Sequence, residues 1–135
     1  MNYKFAYSIG FHPWEDAERH IPFVDKISEM FDREESGKTA PFGKALDIGC
    51  GSGVWGISLA RRGWDVTGVY IVEKAIQRAR ERIKDEKVNI QLVNDDVTSL
   101  LKIGNGFELV LDTGTFQGLS SAQRKAMGKA VDKVA

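Results

Sequence analysis

Cysteine, histidine and proline are scarce in this chain: one, two and three among 135 residues. A lone thiol, Cys50, excludes an intramolecular disulfide and any all-cysteine zinc site. There is no net charge, since nineteen basic side chains meet nineteen acidic ones. That balance excludes a strongly basic nucleic-acid platform. No apolar run approaches the roughly 20 residues that cross a bilayer, so no membrane partner is expected. The N-terminus, MNYKFAYSIGFHPWED, lacks an uninterrupted apolar h-region. No signal peptide is read there, and a cytoplasmic protein is the expectation. Internal repeats and low-complexity tracts are also lacking. What is present, 42% hydrophobic and 28% charged residues, is the composition of an ordinary globular domain. The length suits one domain with a single core.

Periodicity divides the chain. From about Trp14 to Arg33, the residues Ile21, Val24, Ile27, Met30 and Phe31 recur at helical spacing, with Pro22 in a first turn or at a break. Glu34 to Gly43 is loop-like. Four short apolar segments then read as strands: Lys44–Ile48, Asp65–Ile71, Val88–Val93 and Phe107–Leu111. Helices are expected over Gly53–Arg62, Glu73–Lys87 and Ser120–Ala135, the last opened by a Ser120/Gln123 capping box. Strands alternating with helices predict an α/β fold with a parallel sheet and right-handed crossovers.

The most informative stretch is LDIGCGSG, Leu46 to Gly53, at a strand-to-helix turn. Glycine lets backbone bend tightly and approach a ligand without a Cβ in the way. The next helix offers free N–H groups and a positive dipole end. Gly49, Gly51, Gly53 and Gly56 are more glycines than a bare turn needs. Gly51, Gly53 and Gly56 spell G-x-G-x-x-G, so a nicotinamide-binding domain is one reading. Asp47 argues against it, because an anion there repels a pyrophosphate and suits a cationic ligand. No G-K-[ST] ending follows, which excludes a P-loop.

LDIGCGSG resembles motif I of the class I S-adenosylmethionine-dependent methyltransferases. Val66–Glu81 (VTGVYIVEKAIQRARE), Val93–Leu100 (VNDDVTSL) and Phe107–Leu119 (FELVLDTGTFQGL) resemble that family's later segments, in order and spacing. FHPWED, Phe11 to Asp16, resembles the aromatic lid of its small-molecule members. The resemblance implies a Rossmann-like sheet of strand order 3-2-1-4 with helices on both faces. Residues 1–43 would be a helical lid and linker, and 44–135 the cofactor-binding unit. The implied cofactor is S-adenosylmethionine, with S-adenosylhomocysteine as product and a small molecule as methyl acceptor. Asp47, Gly49, Cys50, Gly51 and Gly53 would surround its methionine portion, with Cys50 a small spacer. Tyr70 would stand at the ribose, with Ile71 also at the cofactor. Asp96 would accept from the adenine amino group, with Asp95 an equally acidic neighbour, and the Val97 N–H would face the ring. Asp112 would lie near the sulfonium or the methionine ammonium, Thr113 at the cofactor where the acceptor pocket begins, and Trp14 in the lid. His12, Phe116 and Gln117 would border the acceptor. No general base is assignable.

Two departures from the family pattern matter. Tyr70 stands where the family carries an acid that accepts the ribose diol. A phenol cannot take a diol in bidentate fashion, and the loss is worth about 1.5–3 kcal/mol of binding. The ring is also expected to crowd the ribose. The second departure is four strands where the family has seven, so only the N-terminal part of the domain is expected. The fourth strand would then be an open edge, and a homodimer through that edge or an element swap is the expectation. Together these leave a non-catalytic, cofactor-binding or self-assembling half-domain as the alternative function. A metal site is not expected, because His12, Glu15, Asp16 and His20 match no standard ligand spacing. Arg78, Arg80, Arg82 and Lys84 alternate with acids and read as a solvated helix face.

Overall fold

The computed structural model describes residues 4–8, 21–48, 53–112 and 115–135. Five strands lie within them: β1 (Lys4–Ser8), β2 (Gly43–Ile48), β3 (Trp64–Tyr70), β4 (Ile90–Asn94) and β5 (Phe107–Asp112). The helices among the described residues are α1 (Ile21–Glu35), α2 (Val54–Arg62), α3 (Glu73–Glu86) and α4 (Ser121–Val134). All strand pairs are parallel, in the order β1-β5-β2-β3-β4. The expected 3-2-1-4 order is therefore present, as β4-β3-β2-β5. Among the described residues, no helix is long and apolar enough to cross a membrane.

Side chains of β2 alternate across the sheet, as strand geometry requires. Ala45 packs with Ile27, Phe31, Trp55, Leu59 and Leu111 on the α1 and α2 face. Leu46 and Ile48 pack with Val69, Leu100, Met127 and Val131 on the α4 face. Helices thus cover both faces of a sheet whose central strands are apolar on both sides, the usual condition for a parallel sheet. Gly63 ends α2 in the left-handed region, φ 117°, and its N–H returns to Leu59 and Ala60. Glu35 ties α1 to this corner, accepting from Trp64 Nε1 at 2.9 Å and from Arg62 at 2.8 Å.

Two expectations are corrected. The N-terminal region is not a purely helical lid. Ile27 and Phe31 of α1 are fully buried in the core, so α1 is a structural layer. Lys4–Ser8 forms β1, which pairs with the far side of β5, Lys4 opposite Leu109 and Ala6 opposite Leu111. The strand expected to be an open edge is therefore covered on both sides. Dimerisation through that edge loses its basis, because the backbone groups it needed are already paired.

Candidate functional site

The parallel strands deliver their last residues to one rim, where open α/β sheets bind ligands. Gly49, Cys50, Gly51 and Thr113 lie outside the described residues, as do His12 and Trp14. The glycine turn is described again from Gly53, whose φ of 82° is left-handed and which precedes α2 as its cap. Its carbonyl accepts from Ile57 N–H at 2.9 Å.

Asp47 is fully buried, one residue before β2 ends. Its Oδ2 lies 3.2 Å from the point a Cβ on Gly56 would take, so the carboxylate sits beneath the first turn of α2. The positive end of that helix favours an anion there. A methyl group on Gly56 would meet Asp47 Oδ2 at a tight 3.2 Å.

Tyr70 departs from its expected place. Its side chain is 2% exposed and packs with Ile76 and Ala79 of α3. Strand alternation turns it into the helical layer, with its hydroxyl 3.6 Å from the point a Cβ on Gly53 would take. The ring is packed in the core.

Beside it, the ends of β3 and β4 frame a cleft of about 320 Å³. Ile71, Asp95, Asp96 and Val97, four of the residues expected at a cofactor, line this one cleft. Ile71 is 55% exposed, an apolar surface held out at the rim. Val97 itself is 2% exposed, its side chain in the core.

The structure separates the two neighbouring acids. Asp95 is buried, and its oxygens accept from the backbone N–H groups of Asp96 and Lys102, both at 2.8 Å. It holds the loop that follows β4. Asp96 is exposed. Its Oδ1 accepts from the Thr98 hydroxyl at 2.6 Å and the Thr98 N–H at 2.8 Å. These two bonds, the hydroxyl first, hold the Asp96 carboxyl below its ordinary pKa. Asp96 is thus the exposed carboxylate at the cleft, and Asp95 the buried one that holds the loop.

Asp112 also does structural work. It is fully buried, and its two oxygens accept from Thr115 and Phe116 N–H at 2.8 and 2.9 Å. The loop after β5 therefore folds back onto the strand end. Phe116 and Gln117 follow in a short 3-10 turn, Phe116–Gly118. Arg124 of α4 grips that turn, donating to the carbonyls of Phe116 at 3.1 Å and Gln117 at 2.8 Å. Neither Phe116 nor Gln117 lines the cleft; Leu119 and Gln123 do.

Sequence reasoning missed Asn94, Thr98, Lys102, Leu119 and Gln123 as cleft residues. Thr98 had a local signal, since a hydroxyl two residues after an aspartate favours an Asx-type turn. Leu119 and Gln123 arrive from a distant part of the chain and had none. Glu73 also stands close: its Oε2 accepts from Asn94 Nδ2 at 3.1 Å.

Comparison with known proteins identifies the family and the fold. A family model described as "Methyltransferase domain" matches residues 45–135. The chain is similar to a ubiquinone biosynthesis O-methyltransferase of Sinorhizobium fredii, 35% identical over 89 residues, which cover 65% of this chain and 36% of that protein. It is similar also to human EEF1A lysine methyltransferase 2, 36% identical over 86 residues, covering 62% of this chain and 36% of that one. The matched stretch spans about a third of these relatives' length. The N-methyltransferase NodS from Bradyrhizobium japonicum, solved with S-adenosyl-L-homocysteine, superposes with a TM-score of 0.74 at 19% identity, over 90% of this chain and 60% of that one. At that identity the likeness speaks to fold alone.

Proposed function

The chain belongs to the methyltransferase-domain family, and from that premise we propose that it binds S-adenosylmethionine on the carboxyl rim and methylates a small-molecule acceptor. The observation that carries the reading is the convergence of Ile71, Asp96 and Val97 on one cleft at the ends of β3 and β4. Small-molecule pockets run from roughly 300 to 1,000 Å³. At about 320 Å³ the cleft suits the nucleoside end of such a cofactor.

In this reading Ile71 offers an apolar surface to the adenine, and Asp96 accepts from its amino group. The N-terminus of α2 and the buried Asp47 create the charge pattern for the amino-acid end. An anion there complements an ammonium and opposes a pyrophosphate. This favours the sulfonium nucleotide over a nicotinamide one. Bound cofactor would supply an activated methyl group for in-line displacement, and the protein's part would be chiefly proximity and orientation. The turn at Phe116 and Gln117, held by Asp112 and Arg124, would border the acceptor. A small acceptor is supported by the S. fredii relative, whose name places it in ubiquinone biosynthesis. Residues 44–135 would act as the cofactor-binding unit. A cytoplasmic setting belongs to the same proposal, since one cysteine leaves no internal disulfide to form.

Calorimetry with S-adenosylmethionine, S-adenosylhomocysteine and NAD tests this. The first two should bind and NAD should not. Preference for NAD would overturn the reading. Tight binding without methylated product from any small acceptor would mark a cofactor-binding module instead.

A further inference from the structure

We propose that a hollow between α2 and α3, which shares no residue with the rim cleft, binds a small organic phosphate. Arg61 and Arg82 grip the phosphoryl group, and Val54 and Ile57 seat the organic part. The hollow measures about 340 Å³, within the roughly 300 to 1,000 Å³ of small-molecule pockets. Val54, Ile57, Ser58 and Arg61 reach it from α2, at the spacing that places residues on one helix face. Arg82 and Glu86 reach it from α3, one turn apart. Ile57 is buried and Val54 partly so, which makes that end of the hollow apolar.

The other end is cationic. The guanidinia of Arg61, Arg62 and Arg82 line it against one carboxylate, Glu86. Arg62 is engaged by α1, through Asp32 and Glu35, both at 2.8 Å. Arg61 pairs with Glu86. Arg82 has no hydrogen bond or ion pair among the described residues. Of the basic residues on α3 that the sequence reads as a solvated face, Arg82 alone lines this hollow. Basic side chains in a helix's last turn ordinarily complement its dipole, which accounts for Arg61 and Arg62. Arg82 stands a full turn before the end of α3, where that effect has faded. A planar carboxylate is satisfied by one guanidinium fork, as Glu86 is by Arg61. The donors left over come from two helices: Arg82, the remaining N–H groups of Arg61 and the Ser58 hydroxyl. A tetrahedral phosphoryl group, with three acceptor oxygens and up to two charges, matches such a set.

The test titrates phenyl phosphate into the full chain by NMR, reading backbone amides and arginine Nε–H signals. Inorganic phosphate, benzoate and phenol are the comparison probes. Phenyl phosphate should shift Val54, Ile57, Ser58 and Arg61 amides and the Arg82 side chain, and leave Ile71 and Asp96 unmoved. Inorganic phosphate and benzoate should each bind roughly tenfold more weakly, and phenol should not bind measurably. Affinity for phenyl phosphate should fall as pH is lowered through about 6, where a phosphomonoester loses its second charge. Arg82→Gln, an exposed substitution whose fold the same spectra check, should weaken phenyl phosphate by roughly tenfold, and Arg82→Lys should recover only part of that loss. Binding undiminished in Arg82→Gln, or shifts confined to other residues, would overturn the site. Inorganic phosphate binding as tightly as phenyl phosphate would remove the role of Val54 and Ile57, and benzoate doing so would overturn the choice of a phosphate. No binding by any probe would sink the proposal and leave the cofactor reading untouched.

Discussion

The hydroxyl of Tyr70 ends 3.6 Å from the point that a Cβ on Gly53 would occupy. The last side chain of β3 thus runs beneath Gly53 at the start of α2. Its ring joins Ile76 and Ala79 in a small cluster that seats α3 on the sheet. A residue that the sequence places at a ligand also carries packing in the fold.

Removing that ring should be costly. Tyr70→Ala should destabilise by about 3–5 kcal/mol, the range for truncating a buried aromatic side chain. Tyr70→Asp should cost at least as much, because it puts a carboxylate into an apolar cluster. Urea denaturation monitored by circular dichroism measures both. A Tyr70→Asp protein as stable as wild type would show that the ring is not held in the core.

Gly56 sits inside α2, where alanine normally stabilises a helix by roughly 0.5–1 kcal/mol. Here the sign should reverse. The new Cβ would stand 3.2 Å from Asp47 Oδ2 and 3.6 Å from Ile90 Cδ1. Asp47 is fully buried in a central strand and has little room to move. Gly56→Ala should therefore lose about 1–3 kcal/mol, the usual cost of overpacking. A raised melting temperature would contradict the close approach.

Much of this fold was legible from local pattern. The alternation of β2 to β5 with α2 to α4 follows from apolar period and turn residues, and the Ser120/Gln123 capping box forms as its residues suggest. Strand β1 was not legible. Its partner on β5 lies about a hundred residues away, and no local period records such a pairing. Likewise α1 had a readable helical stripe, but only Phe31 and Ile27 meeting Leu109 and Leu111 make it core rather than cover. At the site, the sequence located the rim acids but could not distinguish Asp95 from Asp96. Their difference is one of burial and backbone partners, which identical side chains cannot reveal.

That difference has a measurable consequence. Asp95→Ala would leave two backbone N–H groups, those of Asp96 and Lys102, without their acceptor. A loss of about 1–3 kcal/mol per stranded group is expected, with the loop after β4 loosened. Asp96→Asn should change stability little and act on nucleoside affinity. Chemical denaturation and ligand titration on the same two variants should give opposite rankings. Equal destabilisation by both would remove the distinction.

The Asp96 carboxyl also carries a pH signature. Its folded pKa is lowered by the Thr98 hydroxyl and N–H. The stability these bonds contribute is present above the ordinary carboxylate pKa and is lost as pH falls through the lowered folded value. Thr98→Val removes the hydroxyl and keeps the N–H. The Asp96 pKa should move back upward, toward but not fully to its ordinary value. Carbon-detected NMR titration reads this directly, and an unmoved pKa would mean the hydroxyl bond is not formed in solution.

Arg124 offers the sharpest test of how the loop after β5 is held. Its guanidinium donates to the carbonyls of Phe116 and Gln117 and lies 5.4 Å from the Phe116 ring centre. The 3-10 turn has only weak internal support, from Gly118 N–H to Thr115 at 3.1 Å and Leu119 N–H to Phe116 at 3.2 Å. Asp112 anchors the turn's start, so Arg124 is what fixes its middle. Arg124→Ala should cost little global stability, within about 1 kcal/mol, because the side chain is at the surface. Local opening should rise instead. Hydrogen exchange at Gly118 and Leu119 should accelerate roughly tenfold, while Met127 and Val131 of α4 keep their protection. Arg124→Lys should not rescue, since one ammonium cannot reproduce the guanidinium's planar fork across two carbonyls. Unchanged exchange in Arg124→Ala would assign the turn's rigidity to Asp112 alone.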